Sequence, residues 1–219
     1  MGVILESILP EPDPHSIDIS AEAIGRRILE QGIAVCDDVL STSVLAGLRE
    51  DALRELKEGN YRPARVGKGI RRERIVEVRT DRIRWLERAT ATDAQLAYWA
   101  MVDELRRGLS SFFRVHMERT EAHFAVYPEG AFYARHFDQF RGVGNRILSV
   151  ILYLNPEWVP GHGGELRVHP PEGVPVDYAP LHGRLIVFRS DEVDHEVLVS
   201  HRQRVSLTGW MRRDPPVLF

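Results

Sequence analysis

The spacing of apolar residues is helical in the first half of the chain. Apolar side chains recur there every three or four positions, which is the period of a helix with one buried face. Ser20 and Ser41 stand where helix N-caps are expected. The pattern predicts helices over 21–30, after Ser41 and over 93–112, with a strand at 33–36 between the first two. The third helix would bury Leu96, Trp99, Val102, Leu105 and Leu109.

From about residue 121 the apolar positions alternate in short runs, the two-residue period of strands with one buried face. Glycine- and proline-rich turns separate these runs. The predicted strands are 123–127, 132–136, 147–154, 164–169, 184–188, 193–199 and 205–211. Helices first and many short strands afterwards favour an α+β, mainly β fold, in which helices support one side of a β-sandwich or barrel.

We expect a single domain over residues 1–219. Its parts would be an irregular, proline-containing lead-in at 1–20, helical support with a substrate lid over 21–120, and a catalytic β core over 121–213. The lid is a basic stretch at 59–74, interrupted by Gly59, Pro63, Gly67 and Gly69. A solvated loop explains this stretch as well as a mobile lid that captures an acidic or carbonyl-rich substrate segment. Strands are predicted after it, at 75–79 and within 80–85.

The composition of the chain limits the kinds of partner that we expect it to bind. The chain has 219 residues, 43% hydrophobic and 28% charged, with a formal net charge of −3. Because no excess of positive charge is available for phosphates, we expect no nucleic-acid partner. No apolar run reaches the roughly 18 residues of a membrane helix, and no signal-like start is present. We therefore expect a cytoplasmic protein without membrane contact, whose single cysteine, Cys36, is a buried core residue.

His136 and Asp138 lie two positions apart in the stretch 133–138, which continues the predicted strand 132–136. Alternate strand residues share a face, so their side chains could bind one ion together. Imidazole and carboxylate are two of the three ligands in the facial triad that holds non-haem Fe(II), and His195 is a candidate for the third. A His-x-Asp pair alone is often accidental, and the common setting in the strand-rich half is what supports the site.

Arg204 directly precedes the last predicted strand, and if the strand includes it, Arg204, Ser206 and Thr208 fall on one face. An arginine directed into a cavity is a planar clamp for a carboxylate. Two histidines, an aspartate and an inward arginine together predict an iron site that also binds an organic acid.

These residues belong to runs that resemble a known family. The runs at 123–138, 152–155, 163–167, 195–197 and 204–210 resemble the prolyl 4-hydroxylases of the hypoxia-sensing type, which are Fe(II)- and 2-oxoglutarate-dependent oxygenases. The likeness is closest to the bacterial members, whose Tyr-Pro-x-Gly-Ala-Phe-Tyr stretch recurs at 127–133. It continues upstream through 32–38 and 79–85, and so covers most of the chain after residue 20.

The resemblance implies a double-stranded β-helix, a jelly-roll or cupin-like barrel, with iron at its open end. It makes His136, Asp138 and His195 the iron ligands, and it counts Arg204 with them as catalytic, since Arg204 pairs with the distal carboxylate of 2-oxoglutarate. The other residues implied to contact the cofactor are Tyr153, Thr208, Tyr127, Leu166 and Trp210. Tyr127 is also placed at the cavity mouth, together with Tyr133.

The residues implied to contact the substrate are Tyr133, Arg79, Asp81 and Trp85. A local salt bridge or turn explains Arg79 and Asp81 equally well, and packing alone explains Trp85. His123 is open between a pocket wall and a hydrogen-bonded strand histidine.

The implied activity is 4-hydroxylation of a prolyl residue in a protein, with elongation factor Tu as the expected substrate. Fe(II), 2-oxoglutarate and O₂ would be required, ascorbate is a candidate reductant, and the products from the cofactor would be succinate and CO₂. We expect a monomer or a weak dimer. The alternatives are the same chemistry on another protein residue, a free amino acid or a small metabolite, and a non-catalytic module that binds metal or 2-oxoglutarate.

Overall fold

Two antiparallel sheets face each other, and helices cover the outer side of the larger one. The computed structural model describes residues 16–64, 78–139 and 144–213. In those ranges the helices are α1 (Ala21–Gln31), α2 (Thr42–Lys57) and α3 (Asp93–Phe113), with a 3-10 turn at Arg88–Thr90. The strands there are β1 (Ile33–Cys36), β2 (Arg62–Pro63), β3 (Arg82–Trp85), β4 (Arg119–Tyr127), β5 (Tyr133–His136), β6 (Arg146–Tyr153), β7 (Leu166–His169), β8 (Val176–Tyr178), β9 (Leu185–Arg189), β10 (Asp194–Val197) and β11 (Arg204–Arg212).

Helix caps form where the sequence predicts them. The side chain of Ser20 accepts a hydrogen bond from the Ala23 amide, and that of Ser41 accepts one from Val44. These bonds satisfy amides that have no partner inside the helix. Gly32, with φ of 76°, ends α1 in the left-handed conformation that glycine adopts without steric cost.

The predicted stripe of α3 is wrong at Leu96, whose side chain is 50% exposed. Leu96 precedes Val102 by six residues, which places it roughly 120° away around the helix axis at about 100° per residue. Tyr98 precedes Val102 by four residues, lies on the buried face and is fully enclosed. The spacing of apolar residues thus predicted the helix correctly but assigned one residue, Leu96, to the wrong face.

The large sheet has the strand order β1-β9-β6-β11-β4-β3-β2, and the small sheet has the order β5-β10-β7-β8. This arrangement confirms the predicted jelly-roll fold. Strand β8 was not predicted, because it is only three residues long and follows Pro175. Strand β2, with two residues, was also missed.

Alternation along β6 shows how one strand serves both layers. Leu148, Val150 and Leu152 belong to the core beneath the helices. Ile151 and Tyr153, which point the other way, belong to the core between the two sheets. The space between the sheets is therefore where side chains of both sheets can meet.

Cys36 is fully buried in β1, as predicted. Burial, with the charges of Asp37 and Asp18, raises the pKa of its thiol to about 12. The predicted lid at 59–74 and the strand at 75–79 lie outside the described residues over 65–77. None of the helices in the described ranges combines the length and the apolar character needed to cross a bilayer.

Candidate active site

A cavity of about 1350 Å³ opens between the two sheets. Every residue predicted for the site lines it, except Tyr153 and Asp81. These two lie directly behind its wall, since Tyr153 stands against Arg204 and Asp81 is bonded to Arg79. The fold thus brings the predicted residues to one place.

The three predicted iron ligands converge at one point of this cavity. One ligand atom from each of His136, Asp138 and His195 lies within 4.8 Å of the others. His136 on β5 and His195 on β10 are register partners, and their ring centroids are 4.3 Å apart. The Nδ1 atoms lie 2.8 Å from the Ala134 carbonyl and 3.0 Å from the Val193 carbonyl. A ring nitrogen facing a carbonyl must carry the proton, so both Nε2 lone pairs are available to a metal.

Asp138 reaches the site by a route different from the predicted one. Strand β5 ends at His136, so strand alternation does not place Asp138 beside it. Asp138 lies in a bend, and its Oδ1 is 3.5 Å from the His136 Nε2. Its Oδ2 accepts a hydrogen bond of 2.7 Å from the Ser149 hydroxyl on β6. The partnership therefore comes from a neighbouring strand and not from the period of β5.

The electrostatics favour an ionised Asp138 and a neutral His195. Burial alone would raise the pKa of Asp138, but its contacts with the two imidazole rings and the hydrogen bond from Ser149 lower it well below its usual range. Burial lowers the pKa of His195, against the opposing charge of Asp138. One carboxylate and two imidazole lone pairs are the donor set of the facial Fe(II) triad.

Arg204, the first residue of β11, is 1% exposed and faces the same cavity. Its Nε donates to the Gly164 carbonyl at 2.9 Å, and its Nη1 lies 3.5 Å from the Ser206 hydroxyl. Gly164 has a φ of +68°, which strains other residues, and a Cβ there would stand 2.9 Å from the Ser200 Oγ and 3.0 Å from the Arg204 Cδ. The described part of the chain places no carboxylate within ion-pair distance of Arg204. A buried cation with remaining donors needs an anionic partner, which a ligand carboxylate would supply.

Two tyrosines stand beside this arginine. The Arg204 guanidinium carbon is 4.8 Å from the centroid of the Tyr127 ring and 4.9 Å from that of Tyr153. Tyr127 is 5% exposed and pairs in register with Arg204, so its predicted place at the cavity mouth is wrong. The Tyr153 hydroxyl is buried near the guanidinium without a well-formed hydrogen bond. A phenol beside a guanidinium that has donors left over is a suitable site for a carboxylate. Thr208, whose hydroxyl is 3.3 Å from that of Ser206, adds a further polar group.

Arg79 and Asp81 form a salt bridge in the cavity wall. The Arg79 Nε and Nη2 donate to the two carboxylate oxygens of Asp81 at 2.8 and 2.6 Å. Burial would lower the pKa of Arg79, but the bonds and charge of Asp81 raise it. The guanidinium lies 4.2 Å from the centroid of the Tyr133 ring, which in turn stacks on His136 at 3.6 Å. Arg79 is thus both a salt-bridge partner and a cavity residue, and its guanidinium packs on the Tyr133 ring, which covers the predicted iron ligand His136.

An aromatic wall of the cavity is formed by rings on β3, β4 and β11 of the large sheet. The His123 ring centroid is 4.8 Å from that of Trp85 and 5.4 Å from that of Trp210, and the Arg146 guanidinium lies 3.5 Å from the Trp210 ring. His123 is 3% exposed, and its Nδ1 has no hydrogen-bond partner. Burial, with the charges of Arg79 and Arg146, lowers the pKa of His123 to about 3. The geometry favours the pocket wall over the hydrogen-bonded strand histidine.

Sequence reasoning missed Arg146, Ser149 and Ser190. The signal for Ser149 was present, because it precedes Tyr153 by four residues and so shares its face of β6. Arg146 is the first residue of that strand. Nothing in the sequence indicated Ser190, which follows β9 and meets Ser149 only in the folded chain.

Comparison with known proteins gives the following similarities. The 2OG-Fe(II) oxygenase superfamily matches residues 122–212. A prolyl-4-hydroxylase of Pseudomonas putida is 37% identical, with a TM-score of 0.81, over 88% of this chain and 99% of that one. A prolyl hydroxylase of Trichoplax adhaerens, solved in complex with a peptide of the hypoxia inducible factor oxygen degradation domain, is 24% identical with a TM-score of 0.80, over 88% of each chain. The second similarity shows the fold.

Proposed function

The chain belongs to the prolyl 4-hydroxylase family of Fe(II)- and 2-oxoglutarate-dependent oxygenases, and we propose that it 4-hydroxylates a prolyl residue of a protein. Fe(II) and 2-oxoglutarate are its cofactors. The substrate we propose is elongation factor Tu, on the strength of the resemblance to bacterial members. We also propose that it works in the cytoplasm as a monomer or weak dimer, with ascorbate as the reductant.

One observation carries the proposal: a triad of two histidines and an aspartate shares its cavity with a buried arginine that has no carboxylate partner among the described residues. In this reading His136, Asp138 and His195 would hold Fe(II) through two imidazoles and one carboxylate. Arg204, helped by the Tyr153 hydroxyl, holds the remote carboxylate of 2-oxoglutarate. When bound, iron and 2-oxoglutarate supply the oxidation with O₂, and the chain fixes their geometry and excludes water.

The aromatic wall supports a cyclic, apolar target. It extends from Trp85, which is 38% exposed, to Trp210. Trp210 is the register partner of Ser149, and Ser149 is hydrogen-bonded to Asp138, so this end of the wall lies near the triad. A target group near the metal would therefore stand against indole and imidazole rings. The apolar face of a pyrrolidine ring packs well on such surfaces. Tyr133 and Arg79 would contact the same segment from the other side.

The test is oxidation of a defined prolyl residue. Elongation factor Tu is incubated with the enzyme, Fe(II), 2-oxoglutarate and O₂, and peptide mass spectrometry should find one added oxygen on a proline, with one succinate formed for each. His136→Ala and Asp138→Ala should abolish turnover, and a wild-type rate in either would contradict the ligand assignment. Oxygen found on another residue, or only on small molecules, would favour the wider substrate alternatives. Binding of 2-oxoglutarate without oxygen consumption for any substrate would favour a non-catalytic module.

A further inference from the structure

We propose that Ser149 and Ser190 are a positioning pair that orients the Asp138 carboxylate for the metal. The inference rests on the ligand set proposed above. It concerns two residues outside that set, which lie on β6 and directly after β9. Both side chains are completely enclosed.

Asp138 needs such a device because no strand holds it. Its backbone is fixed from two sides, since the Arg146 Nη1 donates to the Asp138 carbonyl at 3.3 Å and the Gln139 amide donates to the Ser190 carbonyl at 2.9 Å. These bonds locate the Cα atom but leave the side-chain torsions of Asp138 open. An aspartate side chain has few rotatable bonds. A metal-binding oxygen must nevertheless be held within a fraction of an ångström of its binding position. A side-chain partner has to provide that restriction.

The hydrogen-bond geometry assigns the direction of each bond. The Ser149 Oγ is 2.7 Å from the Asp138 Oδ2, and the Ser190 Oγ is 2.8 Å from the Ser149 Oγ. An ionised carboxylate only accepts, and a serine hydroxyl has one proton. Ser149 therefore donates to Asp138, and Ser190 must donate to Ser149. A chain of bonds in one direction strengthens each member, and its burial excludes competing water.

The relay occupies one carboxylate oxygen and leaves the other to the metal. With Oδ2 bonded to Ser149, Oδ1 is the oxygen that faces the His136 Nε2 at 3.5 Å. The pair thus favours binding through Oδ1 alone. Ligand carboxylates held in this way bind metal more tightly than unrestrained ones, because the restriction is already present before the ion arrives.

The experiment measures binding of Mn(II) alone to the apo chain by titration calorimetry under nitrogen. Ser149→Ala should weaken Mn(II) binding by about 10- to 100-fold, the usual effect of losing a hydrogen bond to a ligand. Ser149→Thr keeps the hydroxyl and should restore binding to within about threefold of wild type. Ser190→Ala leaves the Ser149 proton in place, so it should cause a smaller loss. Ser200→Ala is the matched control, since Ser200 is equally enclosed but donates to the Arg202 carbonyl away from the triad; Mn(II) binding should not change.

A folded Ser149→Ala chain that binds Mn(II) within about twofold of wild type would overturn the proposal. Circular dichroism establishes folding, and if Ser149→Ala does not fold, Ser190→Ala decides: unchanged Mn(II) affinity there refutes the relay. No prolyl substrate enters this measurement, so its failure is separate from failure of the proposed activity. Asp138→Ala separates a further case, because unchanged Mn(II) affinity in that variant would remove Asp138 from the ligand set itself.

Discussion

Replacing Arg204 by methionine should separate two effects that usually occur together, ligand affinity and stability. Arg204 is buried, and in the described ranges no carboxylate lies within ion-pair distance of it. Arg184 is also buried, at 2% exposure, but its Nε and Nη2 donate to both oxygens of Asp37 at 2.7 and 2.9 Å. One arginine is thus satisfied within the chain, while the other has donors left for a ligand. The pair forms a matched comparison.

The structure sets the expected size of each effect for Arg204→Met. Removing one member of a buried, hydrogen-bonded charge pair costs about 2–5 kcal/mol of binding. At about 1.4 kcal/mol for each factor of ten, the dissociation constant for 2-oxoglutarate should rise roughly 30-fold to several thousand-fold. The apo chain loses the bond to the Gly164 carbonyl, which costs about 1–3 kcal/mol. The variant also no longer buries a cation without a counter-ion, and this change stabilises the folded chain by several kcal/mol. Its free energy of unfolding should therefore stay within about 2 kcal/mol of wild type.

Arg184→Met should give the reverse pattern. Its removal leaves Asp37 without its bidentate partner, and we expect a loss of roughly 3 kcal/mol, the lower end for a buried pair because Asp37 keeps a quarter of its side chain in water. Arg184 does not line the cavity, so 2-oxoglutarate affinity should remain within about threefold of wild type.

The assays are urea unfolding of each apo chain and titration calorimetry of 2-oxoglutarate with Mn(II) present. In addition, 2-oxoglutarate should raise the unfolding temperature of wild type and Arg184→Met but not of Arg204→Met, because a ligand stabilises only what it binds. Unchanged 2-oxoglutarate affinity in Arg204→Met would remove Arg204 from the binding site. A stability loss as large as that of Arg184→Met would show that Arg204 is already satisfied within the chain.

Three further outcomes are expected. His123 has a pKa of about 3 in the folded chain, below the unfolded value of about 6.5, so the unfolded chain binds more protons and stability falls as pH drops from 6.5 towards 3. In urea unfolding, His123→Gln should remove up to about 1.4 kcal/mol per pH unit of that dependence. An identical pH profile in the variant would contradict the buried neutral ring. The Cys36 thiol, with its pKa raised to about 12, should react with a disulfide reagent only after unfolding, and fast reaction of the native chain would show that it is accessible. Tyr153→Phe should weaken 2-oxoglutarate binding by about 2- to 10-fold, the equivalent of one net hydrogen bond, and unchanged calorimetric affinity would show that the hydroxyl does not contact the cofactor.

Local sequence signals were enough for most of the fold. Helices α1 and α2 begin where serine caps precede an apolar stripe, and the two-residue alternation located the strands that carry His195 and Arg204. Signals failed where an element was too short or its face was ambiguous. Strand β8 has three residues, and Leu96 has the chemistry of a core residue but the angle of a surface one. Which side of a helix is buried depends on what packs against it, and that is not encoded within the helix.

The candidate site shows the same difference between residues that local sequence can place and residues that it cannot. Thr208, inside a strand, could be assigned to the same face as Arg204 from the period of that strand, because the pleat fixes side-chain direction. Asp138 lies after the end of β5, where the pleat no longer fixes direction. Its carboxylate is directed by Ser149 and Ser190, which are 11 and 52 positions further along the chain. No window of sequence contains that relation.

The different ways in which the three side chains are held have a physical consequence for the predicted metal site. His136 and His195 are register partners of paired strands, so their separation is fixed by backbone hydrogen bonds of the small sheet. The Asp138 carboxylate is bonded to Ser149 on β6, and Ser149 is bonded in turn to Ser190, directly after β9. Both strands belong to the large sheet. The triad therefore has ligands held by both layers, and its geometry depends on how the two sheets are packed. Ile151, two residues from Ser149, and Phe188, whose ring centroid is 4.8 Å from that of His195, both lie in the core between the sheets. Loss of packing there should therefore loosen Asp138 and His195 together.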